Sequence, residues 1–420
     1  MFAPPAHPRR MLTMATALCA SPVVAIFLSA NLANLGNLAF NVLFSRWMGP
    51  ILFGQLATFL TLFLGVMAVL GALQIAVSQR IAAHRDETLL PALAQLSQRG
   101  LTVTLVALPV LIALTLVTNI GPALGLDAVG LLPLLLLCLP FALPLALARG
   151  VATGKLDARA VILSAQVEMW VRLIGAALAW HAGLGLQGVT AVIALSVLAG
   201  WLPLRRALGA PSADAPDLKR TLLLAALPFA LLQGAQVILM DGDVILAQAL
   251  LRAEDAGHIA ALGLFQRIQF FACFSLVAVL LPTVTAEIAA GRNPLRAARP
   301  VFGLYALVSV SLVTLAFAAP EDLVMALVGF DFLPAAQFLP FVSLSAAAFT
   351  LSYLLATYLA AIGDRWGIWA LTIACPLQLL VLLLRTDSLA TLISAKLAFQ
   401  IVLAAWLLAR ALHSAAPRKC

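Results

Sequence analysis

Stretch after stretch of about twenty apolar residues, broken by short charged connections, runs along this whole chain. At 1.5 Å per residue such a stretch, coiled as a helix, crosses the roughly 30 Å hydrocarbon core of a bilayer. The runs fall at approximately 20–44, 54–77, 101–124, 131–148, 160–180, 188–204, 222–248, 259–281, 301–318, 335–360, 366–384 and 389–409. They predict an all-α polytopic membrane protein of about twelve spans. Composition excludes the soluble alternative: 63% of the 420 residues are apolar and 10% charged, with a mean hydropathy of +1.08. A soluble domain carries about 25% charged residues, so lipid has to be the solvent for much of this surface.

The net charge of +8 could point to nucleic acid, but the positions of the basic residues point to membrane orientation instead. The termini and the even-to-odd connections hold 19: Arg9, Arg10, Arg80, Arg85, Arg99, Arg149, Lys155, Arg159, Arg205, Arg206, Lys219, Arg220, Arg292, Arg296, Arg299, Arg365, Arg410, Arg418 and Lys419. The opposite connections hold Arg46, Arg252 and Arg385; Arg172, Arg267 and Lys396 fall inside spans. This asymmetry predicts a cytoplasmic (inner) membrane protein with both ends inside. Arg9 and Arg10 before the run from Met11 to Phe44 resemble a signal peptide, but the run is too long for a signal's apolar core and reads as an uncleaved first helix. Five scattered cysteines lack metal-ligand spacing, and four lie in apolar segments as small hydrophobes.

The two halves look alike. Ile81-Ala82-Ala83-His84-Arg85-Asp86 comes after the second span and Ile288-Ala289-Ala290-Gly291-Arg292-Asn293 after the eighth, while Arg46 and Gly54 find counterparts in Arg252 and Gly257. The expected organisation is an N-terminal six-helix lobe over 1–208, a cytoplasmic linker over 209–221 and a C-terminal six-helix lobe over 222–420. An even number of spans per unit makes the repeats parallel, a transporter plan.

Polar groups in lipid are costly, so they mark helix contacts or wet spaces. Asn31, Asn34, Asn37 and Asn41 lie along one face of the first span, suited either to interhelical bonding or to lining a cavity. The fifth span carries Gln166, Glu168 and Arg172; Glu168 and Arg172 are four apart and can pair, either as a structural ion pair or as a protonatable carboxylate gating a cation. The eighth carries Gln266, Arg267 and Gln269, the twelfth Lys396 and Gln400, and the tenth Ser345 among several hydroxyls. Arg267 and Lys396 either pair across helices, with Asp241 or Asp243 as partners, or bind an anion. Asp243 joins Glu168 as a candidate coupling group. The histidines lie near termini or in loops, and no catalytic, nucleotide-binding or metal motif is present, so neither an enzyme nor a cofactor is expected.

With these residues in hand, the chain resembles the polysaccharide-biosynthesis flippases of the multidrug/oligosaccharidyl-lipid/polysaccharide (MOP) exporter superfamily, which includes the MATE transporters. The resemblance rests on Arg46-Trp47-Met48-Gly49-Pro50-Ile51-Leu52-Phe53-Gly54-Gln55-Leu56-Ala57, Gly71-Ala72-Leu73-Gln74-Ile75-Ala76-Val77-Ser78, Asp243-Val244-Ile245-Leu246 and Leu281-Pro282. Ala256-Gly257-His258-Ile259-Ala260-Ala261 is similar to the start of the family's eighth helix, with His258 and Ile259 in place of the usual residues. The resemblance implies two six-helix lobes around a central cavity open alternately to each face. It also implies a lipid-linked oligosaccharide as cargo, with membrane lipid and envelope glycan-assembly proteins as partners and no nucleic acid. Residue chemistry then nominates Arg172, Arg267 and Lys396 for phosphate, and the Asn stripe with Gln166, Gln266, Gln269 and Ser345 for the glycan. A multidrug or cation antiporter of the same superfamily and a non-transport membrane scaffold are the alternatives.

Overall fold

The structure, a computed structural model, describes residues 22–83, 89–118, 120–126, 130–211 and 216–415. Arg9, Arg10, Cys19, the stretch 84–86 of the first repeat match, Asp127, the linker centre at 212–215, Arg418, Lys419 and Cys420 lie outside the described residues.

The described residues are almost wholly helical and contain no strand. In chain order the α-helices are α1 (Pro22–Ala83), α2 (Leu89–Val117), α3 (Ile120–Ala123), α4 (Leu131–Leu136), α5 (Leu139–Gly154), α6 (Ala158–Trp170), α7 (Ala176–His181), α8 (Gly185–Trp201), α9 (Pro216–Leu250), α10 (Ala253–Ala289), α11 (Pro294–Ala318), α12 (Pro320–Leu327), α13 (Leu339–Ala361), α14 (Trp366–Leu383) and α15 (Leu389–Ala415). A π turn over Val171–Gly175 joins α6 to α7. Eleven helical stretches are long and apolar enough to cross a membrane. One of them runs from Val24 to Ala83 and is broken at Gly49, where φ is 67° and ψ 178°. Its two arms are each long enough to cross, which accounts for the twelve apolar runs in the sequence.

Gly49 breaks the helix for two separate reasons. Its positive φ is closed to most side chains, and the adjoining Pro50 forces its ψ into the extended region. Pro50, lacking an N–H to satisfy, then opens the second arm. Elsewhere the helices overrun the apolar cores. Residues 89–100, expected as a cytoplasmic connection, form the start of α2, and α5 continues six residues past Ala148. Polar helix ends project beyond hydrocarbon, where hydropathy no longer reports them.

The chain forms two compact units. The first gathers the described residues up to Phe40, Leu70–Val117 and Leu132–Leu227; the second gathers Asn41–Val69, Thr118–Leu131 and the chain from Pro228 onward. In the second unit α13 is central, packing on α10, α11, α14 and α15. An aromatic cluster of Phe270, Phe274, Phe349 and Tyr353 fills its core, with Phe270 and Phe349 centroids 5.4 Å apart. His258, expected at a loop edge, is instead buried in α10 with its ring edge-on to Phe332. Within this unit Gly54 and Gly257 touch each other. A Cβ on Gly54 would sit 3.1 Å from the Gly257 nitrogen, and one on Gly257 would overlap the Pro50 carbonyl.

Outside the spans, Asp364 in the turn after α13 ties down the end of α15. Its carboxylate accepts from Arg410 Nε at 2.8 Å, Ser414 Oγ at 3.1 Å and the Trp366 N–H at 3.0 Å. Burial pushes this carboxyl up, but those three donors outweigh it and hold it below the ordinary range. A carboxylate depressed by folding contributes stability above its unfolded pKa and loses it as pH falls through the folded one. Acid should therefore loosen this clamp. Wild type should lose thermal stability on acidification faster than Asp364→Asn, and parallel acid limbs would dismiss the clamp.

Candidate functional site

Each unit buries its own set of charges at span depth. In the first unit α5 supplies Arg149, α6 supplies Ser164, Gln166 and Glu168, the π turn supplies Arg172, α8 supplies Ser196, and α1 supplies Ser29 and Asn37. Glu168 is clasped from both sides: Oε1 lies 2.6 Å from Arg172 Nη2 and Oε2 lies 2.7 Å from Arg149 Nη2. Arg172 also donates to Asn37 Oδ1 at 3.2 Å and Ser196 Oγ at 3.4 Å, and Arg149 Nε donates to Ser164 Oγ at 2.8 Å. Two guanidiniums thus share one carboxylate, an excess of one positive charge within this cluster of described residues. A π turn inserts an extra residue into the ladder and rotates α7 about the helix axis relative to α6. Arg172 lies within it, so the helix redirects at the residue that bridges Glu168 and Asn37.

The second unit balances its charges. Arg267 Nε contacts Asp241 Oδ1 at 3.0 Å and Lys396 Nζ contacts Asp243 Oδ1 at 2.7 Å. Asp241 and Asp243 are two residues apart on α9, about 200° around the helix, so each meets a different neighbour: α10 for Asp241, α15 for Asp243. Lys396 also donates to Gln266 Oε1 at 2.9 Å and to the Met240 carbonyl at 2.7 Å. Arg267 Nη2 reaches Thr61 Oγ1 at 3.4 Å. Behind them Gln400 donates to the Leu239 carbonyl at 2.9 Å and accepts from Ser345 Oγ at 2.6 Å, and Gln378 donates to the same carbonyl at 3.1 Å. The second Asp241 oxygen, Oδ2, accepts no hydrogen bond.

The residues nominated from sequence thus fall into two groups. Arg172, Glu168, Asn37 and Gln166 converge in the first unit, Gln166 by donating to the Ser29 backbone and hydroxyl oxygens at 2.8 Å. Arg267, Lys396, Gln266, Asp243 and Ser345 converge in the second, while Gln269 is taken up by Ser343 at 2.8 Å. Asn31 bonds its own helix at Phe27 and is exposed, as is Asn34; Asn41 is buried in the second unit. All three in-span cations have carboxylate partners: Arg172 meets Glu168, Arg267 meets Asp241 and Lys396 meets Asp243. Asp241 and Asp243 are both buried, so the nominated cations do not outnumber the acids. The surplus comes from Arg149, which sequence reasoning assigned to a connection. No group of residues able to hold a metal occurs among the described residues.

Solved structures share this fold, that of the MATE transporters. One described as the inward-facing conformation of a multidrug resistance MATE family transporter of the MOP superfamily aligns over 92% of this chain and 96% of its own, with a TM-score of 0.75 and 16% identity. A MATE structure in the straight conformation gives a TM-score of 0.62 over 95% of each chain at 16% identity. The outward-facing conformation of a multidrug resistance MATE family transporter gives 0.57 over 94% of each chain at 14% identity. The class is therefore a multi-pass helical membrane protein of MATE fold. No family model and no curated protein matches the sequence.

Proposed function

We propose that this protein is a transporter, not an enzyme, moving an anionic lipid-linked oligosaccharide or polysaccharide precursor across the cytoplasmic membrane by alternating access. Support for alternating access comes from the fold, since proteins sharing it are described in inward-facing and outward-facing conformations. Support for the cargo comes from one observation: Glu168 is shared by Arg149 and Arg172, leaving a positive charge in excess next to the Asn37 amide. A phosphate is a bidentate acceptor matched to guanidinium, so it competes with Glu168 for Arg172. Protonating Glu168 has the same releasing effect, which makes Glu168 the coupling group. Arg267 and Lys396 could meet an anion only by giving up Asp241 and Asp243, so the main phosphate role falls on Arg172. The exposed amides of Asn31 and Asn34 suit sugar hydroxyls.

A second reading, cation-coupled drug export, draws on Asp241, a buried carboxylate with one oxygen unsatisfied. Purified protein in liposomes separates the two. The first reading expects translocation of a fluorescent polyprenyl-phosphate saccharide, cut at least about tenfold in Arg172→Gln. Ethidium uptake driven by a proton or Na+ gradient, with no saccharide movement, would transfer the assignment to the second.

Orientation is testable separately. In a cysteine-free background, single cysteines at Arg385 and Asp387 should react with an impermeant maleimide on intact cells, and those at Lys155 and Arg292 only after permeabilisation. The reverse pattern would invert the topology argued from the basic residues.

A further inference from the structure

We infer that the Lys396 ammonium is the permanent, covalently tethered occupant of a monovalent-cation site in the second unit. It meets three oxygens of different kinds, donating to the Met240 carbonyl at 2.7 Å and to Gln266 Oε1 at 2.9 Å and lying in ion-pair contact with Asp243 Oδ1 at 2.7 Å. A carboxylate, a backbone carbonyl and an amide oxygen are the ligand types that hold hard cations in proteins. The ammonium end is buried, with the Lys396 side chain 4% exposed. Gln266 presents its oxygen to the lysine while its Nε2 donates to nothing, so its orientation serves the cation. The residues behind obey the same logic, since the preceding carbonyl, Leu239, accepts from both Gln378 and Gln400.

Charge makes this occupant necessary. Asp241 and Asp243 are balanced by Arg267 and Lys396, one to one. Removing the ammonium leaves a net negative charge and three buried acceptors at span depth, a state that recruits any small cation able to reach it. Because the lysine is part of the chain it cannot leave, so the wild-type site neither binds nor releases a free ion. This inference does not depend on the cargo proposed above, and its test reads stability instead of transport.

The test compares thermal unfolding of detergent-purified protein in NaCl and in choline chloride of equal ionic strength. Wild type should unfold at the same temperature in both. Lys396→Ala should unfold lower in choline and regain about 5 °C in NaCl or methylammonium chloride. Adding Asp243→Asn to the alanine variant should abolish that response. An alanine variant indifferent to all these cations overturns the inference, as does saturable Na+ stabilisation of the wild type. Should the alanine variant not survive extraction, the wild-type comparison decides alone: Na+ stabilisation refutes a resident ammonium, and indifference upholds it.

Discussion

Gly257→Val should all but eliminate folded protein from the membrane fraction. Gly257 packs against Pro50 and Gly54 so closely that even a Cβ would fall inside the Pro50 carbonyl, and the neighbour is backbone, which cannot swing aside. Overpacking costs about 1–3 kcal/mol where neighbours can shift and more against rigid backbone, and valine adds two further methyls. Gly54→Ala meets Gln248 Oε1 at 2.7 Å, the end of a flexible side chain, and should be milder. Gly303 on α11 has open space around it, so Gly303→Val supplies the control for valine in a helix. Gel filtration of a fluorescent fusion reads all three. A monodisperse Gly257→Val peak at wild-type yield would show that the glycine contact is dispensable.

The second large effect separates charge from contact in the first unit. Glu168→Gln takes the shared carboxylate charge away from two guanidiniums, and losing one partner of a buried pair costs about 3–5 kcal/mol. Arg172→Met removes three contacts, to Glu168, Asn37 and Ser196, but leaves Arg149 and Glu168 as a balanced pair, so it should cost only about 1–2 kcal/mol. The more conservative substitution is thus expected to be the more damaging. Thermal unfolding decides the order, and equal losses would mean that the charges are not coupled. The methionine variant, being folded, should still lose saccharide translocation.

Hydropathy and charge alone made the membrane class and nearly every span legible, because lipid punishes an unsatisfied backbone and a misplaced lysine more severely than water does. The bend at Gly49 was also readable, as Gly-Pro between two apolar runs. What escaped was the partner choice. Lys396 finds Asp243 and the Met240 carbonyl more than 150 positions away, and no local pattern encodes which of two neighbouring acids faces which helix. Arg149 escaped because the apolar run stops at Ala148, although the helix does not. The signal was Gly150 and Gly154, four apart, whose missing side chains let α5 lie on Gln74, Val77, Ser78 and Ile81. That seating keeps the helix going and holds Arg149 inside it. The π turn had no sequence signature.

That turn has a consequence for tracing ancestry. One surplus residue within 171–175 offsets the phase of the rest of the hairpin by about 100°. A cousin without the insertion would point a different residue at Asn37, even if its letters matched on either side. Alignments of this protein with its kin should therefore open their gap at that turn, and the arginine should be traced from there as a marker of descent.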